Sequence, residues 1–235
     1  TSASRCGNDY ECGIFPRNRG TAGARITYAA YEGETPVITA DPGVTSSRGI
    51  TILQGASGVG TYIRVTGITF RNLYLWASLY NHASYNEIDH CTFYSDTGQD
   101  FGGAAGLTIN SLCVGGSSWR CPSQHNWIHH NTFLRAHEYG NQPCHEGADM
   151  IRIGHGYSAS LDDTDYTLPR DDYNTVENNL IAYAGHALMD MYGGYNVIRN
   201  NVWHNEGWIA DYSGGGCAFP PMPNGKYGHR GLQTT

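Results

Sequence analysis

The chain has 235 residues, of which 31 are glycine, and only 15% of its residues are charged. Its net charge of −7 argues against nucleic acid as a partner, because nucleic-acid binders need a cationic surface. No run approaches the roughly 18 apolar residues of a membrane-spanning helix, so no membrane span is expected.

The seven cysteines indicate an oxidising compartment, and we expect a secreted, extracellular protein. Two pairs flank short polar loops and are predicted to form disulfides, namely Cys6–Cys12 and Cys113–Cys121. Cys144 and Cys217 are a further candidate pair. The odd count leaves at least one thiol unpaired, and the repeat described below suggests Cys91.

Strand-like segments begin near the N-terminus, at residues 26–31 and 36–38, and a loose repeat unit follows at residues 61–70. Four further segments align with one another without gaps: 85–93, 125–133, 173–181 and 195–203. Residues 228–235 indicate the approach to another strand. Glycine, asparagine and β-branched residues disfavour helices throughout.

The aligned segments share columns of like residues. One column is asparagine (Asn86, Asn126, Asn174, Asn196), a second is aliphatic (Ile88, Ile128, Val176, Ile198), a third reads Cys91, Asn131, Asn179, Asn201, and a fourth is bulky (Phe93, Phe133, Ile181, Trp203). In a β-solenoid each residue lies about 4.8 Å above its equivalent. The apolar columns then become interior stacks, and the asparagine columns become amide ladders.

The repeats start at residues 61, 85, 125, 173 and 195, so the steps are 24, 40, 48 and 22 residues. Coils of 22–24 residues accommodate three short strands and their turns. The longer steps predict two loop insertions, at about 96–124 and 137–172. Propeller blades and leucine-rich repeats fit neither the step nor the residue frame.

We therefore predict an all-β, right-handed parallel β-helix that forms a single domain over residues 1–235. No amphipathic capping helix is visible at either end, and uncapped coils invite edge pairing. The expectation is either a fragment of a longer chain or a subunit that assembles end to end as a homo-oligomer, such as a filament.

Two segments carry a family resemblance. The motifs GTAGARITY at 20–28 and YEGETPVI at 31–38 resemble the opening of secreted β-helix proteins of the pectate-lyase-like superfamily. The motif GADMIRIG at 147–154 resembles the corresponding coil of the chondroitinase B and alginate lyase family of polysaccharide lyases. The resemblance implies β-elimination from an acidic polysaccharide, with Ca²⁺ neutralising the uronate carboxylate.

That family uses a lysine as the base and an arginine as its assistant, and neither is matched here. Tyr192 falls at the lysine position, while the arginine position falls near Tyr212 or Ser213. Asp149 falls on a calcium-ligand position, with Glu146 nearby. A tyrosine can act as an elimination base if a neighbouring cation depresses its pKa, and Arg152 is the candidate cation.

The predicted site therefore combines residues from several coils. Tyr192, Arg152 and His186 are the candidate catalytic residues, and Asp149 and Glu146 are the candidate metal ligands. The candidate substrate-binding residues are Asp190, Tyr157 and Trp208. Alternation along the strand at 188–192 predicts that Asp190 and Tyr192 face outward.

Two other groups of polar residues could be either binding sites or ordinary surface residues. The acidic loop 162–165, with Asp171 and Asp172, is a second candidate Ca²⁺ site or a solvated loop. His129 and His130 are adjacent on a strand, so we expect them to face opposite ways and not to chelate one ion. His90 and His130 should stack.

Aromatic residues beyond the needs of the interior are predicted to be exposed, as sugar platforms or as a subunit interface. They are Tyr74, Trp76, Tyr80, Tyr85, Trp119, Trp127, Tyr139, Tyr157, Tyr173 and Tyr195.

Three functions remain open on the sequence alone. The first is a lyase-like β-helix that acts on or binds a uronate-containing polysaccharide. The second is a non-catalytic solenoid that binds glycan or assembles as a structural filament. The third is glycoside hydrolysis, which needs two carboxyl groups about 5–9.5 Å apart, with Asp149 and Asp190 as the candidates.

Overall fold

A computed structural model of the chain describes residues 13–40, 47–53, 60–95, 106–111, 121–136, 149–154, 170–184, 187–204 and 230–234. These residues form eighteen strands in three six-stranded sheets, and each strand pairs in parallel with strands three places away in the chain. The chain therefore winds through the three sheets in turn, once per coil, and the fold is the predicted right-handed parallel β-helix.

Sheet 1 contains β1 (Ile26–Ala29), β4 (Ile63–Thr66), β7 (Glu87–Asp89), β10 (Trp127–His129), β13 (Thr175–Glu177) and β16 (Val197–Arg199). Sheet 2 contains β2 (Val37–Thr39), β5 (Thr69–Arg71), β8 (Thr92–Tyr94), β11 (Thr132–Ala136), β14 (Leu180–Ala184) and β17 (Val202–His204). Sheet 3 contains β3 (Arg48–Leu53), β6 (Leu75–Tyr80), β9 (Leu107–Asn110), β12 (Ile151–Ile153), β15 (Ala187–Met191) and β18 (Arg230–Thr234).

The interior consists of the predicted apolar columns. Ile88, Ile128 and Val176 are fully buried in register across sheet 1. In sheet 2, Phe93 stacks on Phe133 with ring centroids 4.8 Å apart. Because like residues occupy successive coils, each side chain packs against its own equivalent, and the core runs continuously along the axis.

Two asparagine ladders line the turns on either side of sheet 1. In one, the amide of Asn126 donates to Asn174 Oδ1 at 3.0 Å and its Oδ1 accepts from the backbone N–H of Asn86 at 3.1 Å. In the other, Asn131 donates to Asn179 Oδ1 at 3.1 Å and accepts from the backbone N–H of Cys91 at 2.9 Å. Cys91 takes an asparagine position and is a buried free thiol, as predicted.

The two ranges that were predicted to be loop insertions each contain a strand of the solenoid. β9 and β12 lie inside the ranges 96–124 and 137–172, and both pair with their neighbours in sheet 3. The extra residues of each coil therefore fall in two segments, one before and one after the third strand. The aligned repeat covers only the strands of sheets 1 and 2, which is why it does not reveal the strand between.

The prediction that Trp76 is exposed is wrong. Its side chain is fully buried, with its ring centroid 6.0 Å from that of Phe93 and 6.5 Å from that of Phe133. A Cβ at residue 106 would lie 2.6 Å from the Trp76 ring, so Gly106 is needed to make room for the indole. Tyr85, Trp127, Tyr173 and Tyr195 are exposed, as predicted. Trp119, Tyr139 and Tyr157 lie outside the described residues.

Candidate functional site

The outer face of sheet 1 carries a network of charged and aromatic side chains. Register places Arg64, Glu87 and Trp127 in one outward column. The neighbouring outward column contains Thr66, Asp89, His129, Glu177 and Arg199. We call these residues, with Arg25 just before β1, the sheet 1 outer face.

Asp89 is fully buried beneath Arg64. Arg64 donates from Nε to Oδ1 and from a terminal nitrogen to Oδ2, both at 2.8 Å, and the Thr66 hydroxyl and the His90 ring also contact Oδ2. Burial alone would raise the pKa of Asp89, but hydrogen bonds from Arg64, His90 and Thr66 and the charge of Arg64 lower it to about 2. Asp89 is therefore a fixed anion at neutral pH.

Glu87 lies between two arginines and a buried imidazole. Its carboxylate is 3.4 Å from Arg64 Nε and 3.6 Å from Arg25 Nε, and Oε1 is 3.2 Å from His129 Nε2. Burial lowers the pKa of His129, and this outweighs the hydrogen bond to Glu87 and the charges of Asp89 and Glu87, which raise it. His129 is therefore neutral near pH 7.

Trp127 joins the two halves of the face. Its indole stacks on His129 with centroids 3.8 Å apart and donates from Nε1 to Glu177 at 2.8 Å. Arg199 also donates to Glu177, and this hydrogen bond is the main reason that the pKa of Glu177 is lowered, with burial opposing and the Trp127 hydrogen bond assisting.

Exposure divides the face into two layers. The side chains of Glu87, Asp89 and Glu177 are between 0% and 12% exposed, whereas those of Arg25, Arg64 and Arg199 are 33%, 37% and 61% exposed. Trp127 is 39% exposed. A molecule that approaches this face therefore meets guanidinium groups and an indole, with the carboxylates underneath.

The prediction that His129 and His130 face apart is wrong. β10 ends at His129, and His130 adopts a left-handed backbone conformation with φ of 54°. Strand alternation no longer applies at that residue, and the two Nδ1 atoms lie 2.8 Å apart. His90 and His130 do stack, with centroids 5.2 Å apart and an interplanar angle of 3°.

Glu87, Asp89 and His129 offer ligand atoms within 4.8 Å of one another, which is a geometry that could hold a cation. The guanidinium of Arg64 contacts both carboxylates of this group. A metal ion there would have to displace Arg64, so these residues fit an ion pair better than a metal centre.

A ladder of stacked rings borders the face at the turn before sheet 1. Tyr62, Tyr85, His125, Tyr173 and Tyr195 stack with centroids 4.8–5.3 Å apart. All five residues have φ between 53° and 60°, a conformation that is unusual for such bulky side chains. The stacking of the rings stabilises this turn, and so does the ladder asparagine that comes directly after the ring residue in four of the five coils.

The structure brings together four of the residues predicted to form the site. On sheet 3, Arg152 lies beside Asp190 in register, donates from Nε to Asp149 Oδ2 at 2.9 Å, and lies 3.8 Å from Asp190 Oδ2. Asp149 and Asp190 are buried, and Arg152 forms ion pairs with both carboxylates.

Tyr192 lies at the end of this cluster, against Gly154, where any Cβ would lie 2.6 Å from that of Tyr192. Burial, the charge of Asp190 and a hydrogen bond to Asp190 raise the pKa of Tyr192 to about 12, and the opposing charge of Arg152 is smaller. This direction is opposite to the one that a base role requires. His186, Tyr157, Trp208 and Glu146 lie outside the described residues.

The second candidate Ca²⁺ site is only partly described. Residues 162–165 lie outside the described ranges. Asp171 is buried and accepts from the backbone N–H of Ser123 at 2.7 Å, and Asp172 accepts from that of Gly194 at 2.6 Å. Both carboxylates thus bind backbone donors of neighbouring coils. Cys121 is disulfide-bonded, and Cys113, its predicted partner, lies outside the described residues.

The sheet 1 outer face was not predicted from the sequence, although most of its residues lie in the aligned repeats. The inward columns contain like residues and are visible as a pattern. The outward columns mix arginine, carboxylate, indole and imidazole, so they show no repeat. Comparing the outward-facing residues of the aligned strands from one coil to the next would have shown that arginines lie next to carboxylates.

No protein-family model matches this chain, and neither a search of curated proteins nor one of solved structures found a match. None of the described residues forms a helix long and apolar enough to cross a membrane.

Proposed function

We propose that this β-helix binds a carboxylate-bearing polysaccharide across the sheet 1 outer face. The observation that carries the proposal is the layering of exposed guanidinium groups and one exposed indole over buried carboxylates. Guanidinium groups match carboxylates in a two-pronged geometry, and an aromatic ring offers an apolar surface to a sugar.

Local charge supports an acidic polymer in spite of the acidity of the whole chain. Arg25, Arg64 and Arg199 balance Glu87, Asp89 and Glu177, so the face sums to zero, whereas the chain carries −7. Because the anions are buried and the cations exposed, the potential at the surface favours an anion. Sheet 1 also extends this surface over several coils, about 4.8 Å apart, as a linear polymer requires.

The proposal is for binding rather than for β-elimination. Elimination needs a base, and the raised pKa of Tyr192 does not favour the phenol that the resemblance suggested. Turnover is measured separately on the same mixtures by ultraviolet absorbance, because an unsaturated uronate product absorbs in the ultraviolet.

Calorimetric titration with alginate, polygalacturonate and chondroitin sulfate, and with neutral xylan, tests the proposal. We expect the acidic polymers to bind and added salt to weaken them, since the arginines are partly exposed. Trp127→Ala should weaken binding by about tenfold or more, as truncation of an aromatic anchor does. Arg199→Gln should weaken binding of acidic polymers only.

Tyr31→Ala is the matched control, because Tyr31 is an exposed aromatic residue in the turn between β1 and β2 and is not one of the residues of the sheet 1 outer face. It should leave affinity unchanged, with thermal melts showing that all variants fold. Equal losses in the Trp127 and Tyr31 variants, or no binding by any acidic polymer, would contradict the proposal.

A further inference from the structure

Two exposed histidines border the sheet 1 outer face where the chain turns into sheet 2. His90 and His130 follow β7 and β10 directly, and both have a left-handed backbone, with φ of 52° and 54°. The side chain of His90 is 61% exposed, and His130 is also exposed. Their rings stack with centroids 5.2 Å apart, so the two imidazoles form one exposed group that spans two coils.

Both imidazoles are held at this border by residues of the face itself. The Nδ1 atom of His90 lies 2.7 Å from Asp89 Oδ2, and Arg64 donates to the same oxygen atom at 2.8 Å. His90 therefore lies beside an exposed guanidinium group. On the next coil, the Nδ1 atom of His130 lies 2.8 Å from that of His129.

The histidine pair lies between the two ends of the face that carry arginine. Arg64 is on β4 and Arg199 is on β16, and the three strands between them, β7, β10 and β13, contain neither arginine nor lysine. Neighbouring strands lie about 4.8 Å apart, so β4 and β16 are separated by about 19 Å. An extended anionic polymer that follows sheet 1 from Arg64 to Arg199 passes His90 and His130 on the way.

We propose that His90 and His130 become cations of the sheet 1 outer face as the pH falls, and that they strengthen its binding of carboxylate-bearing polysaccharides between about pH 7.5 and about pH 5.5. This inference rests on the proposed function. Histidine is the side chain whose charge ordinarily changes in this interval. A carboxyl group with an ordinary pKa of about 4 stays ionised there, so the polymer keeps its charge.

The contacts of the two rings are compatible with added protons. Asp89 is an anion throughout the interval, since its pKa is about 2, and an ionised carboxylate accepts from His90 Nδ1 whether that ring is neutral or protonated. Burial lowers the pKa of His129, so this ring gains a proton only at a lower pH than an ordinary histidine. A neutral His129 can accept from a protonated His130.

The other neighbours of the pair do not oppose the change in charge. The equivalent turn positions on either side are Gly67 and Asn178, which carry no charge. Glu87 and Glu177, on the strands of the face, are ion-paired with Arg64 and Arg199.

Protonation and polymer binding should be linked. Two imidazolium rings whose centroids are 5.2 Å apart repel each other, and a carboxylate placed against them offsets this repulsion. A bound acidic polymer therefore favours the doubly protonated pair. Because such coupling is reciprocal, binding in this pH interval should take up protons.

Calorimetric titration with polygalacturonate at pH 7.5 and pH 5.5, at constant ionic strength, tests the inference in the wild type and in the double variant His90→Asn/His130→Asn. Asparagine suits both positions, because Asn178 and Asn200 occupy the equivalent turn in later coils with φ of 55° and 56°. The wild type should bind about two- to thirtyfold more tightly at the lower pH, the range for two exposed ion pairs. The double variant should lose this gain.

His82→Asn is the matched control. His82 is also exposed and left-handed, with φ of 64°, but it lies between β6 and β7 and is not at the border with sheet 2. This variant should keep the full gain in affinity. A gain of equal size in the wild type and the double variant, or an equal loss of the gain in the His82 variant, overturns the inference.

Titrations at pH 6.5 in buffers of different ionisation enthalpy measure the protons taken up on binding. The wild type should take up protons, and the double variant should take up fewer. Equal affinity at both pH values without proton uptake would overturn this inference and leave the proposed function standing. The absence of binding at both pH values would overturn the two together.

Discussion

Asn131→Ala should destabilise the solenoid strongly, because one amide serves three groups in the interior. Asn131 accepts from the backbone N–H of Cys91 at 2.9 Å, donates to the Ile88 carbonyl at 2.8 Å and donates to Asn179 Oδ1 at 3.1 Å. Alanine would leave the N–H of Cys91 without a partner in a site that water does not reach, and it would remove the amide hydrogen bond to the Ile88 carbonyl, which lies in the paired strand β7.

The unpaired N–H of Cys91 costs about 1–3 kcal/mol and the hydrogen bond lost from the Ile88 carbonyl costs about 0.5–1.5 kcal/mol, so the expected loss is about 1.5–4.5 kcal/mol. Asn179 keeps its hydrogen bond from the backbone of residue 131, at 2.9 Å, and therefore adds little to the loss. Urea unfolding followed by circular dichroism measures the change in the free energy of unfolding.

Asn201→Ala is the control, since Asn201 makes the equivalent hydrogen bonds to Asn179 and to the Val176 carbonyl. Asn201 is only partly buried, so water can replace the lost amide, and the cost should be about 1 kcal/mol. An Asn131→Ala loss no larger than that of Asn201→Ala would refute the reasoning that the buried ladder satisfies the turn.

Two other substitutions test buried groups. Cys91→Asn should stabilise the chain by about 0.5–1.5 kcal/mol for each new hydrogen bond. The thiol lies 3.7 Å from the Val65 carbonyl, to which an asparagine amide could donate. A lower urea midpoint than that of the wild type would contradict this prediction. Burial outweighs the hydrogen bonds that Asp171 accepts and raises its pKa to about 8, so its protonated form adds stability at low pH that is lost as pH rises from about 4 to about 8. Asp171→Asn should remove this part of the pH dependence, as measured by thermal melts across that range, and an unchanged dependence would exclude the buried acid as its source.

The sequence predicted the solenoid well because its period is imposed by stacking. The step of 22–24 residues and the columns at Asn86, Ile88, Cys91 and Phe93 all reappear as ladders or interior stacks. Each column needs only one kind of residue to satisfy its neighbours above and below, so like residues recur and are visible without a structure.

The wrong predictions have two causes. Strand alternation does not apply beyond the end of a strand, and the sequence pattern of one coil does not show which residues of the next coil pack against it. The alternation of side chains along a strand predicts that His129 and His130 face opposite ways, but the left-handed turn at His130 brings their rings together. Trp76 was predicted to be exposed because no repeat column includes it. Its burial depends on Gly106, a residue in the next coil of sheet 3.

The sheet 1 outer face follows a different stacking logic from the core. Identical charges about 4.8 Å apart would repel, so a charged column is stable only if its signs alternate or its members are neutral. Here Arg64 lies above Glu87, and neutral His129 separates Asp89 from Glu177, which in turn precedes Arg199. The buried acids hold each guanidinium in one orientation before any ligand arrives. A surface built in this way loses little side-chain freedom on binding, which is the condition under which a shallow face can hold an extended polymer.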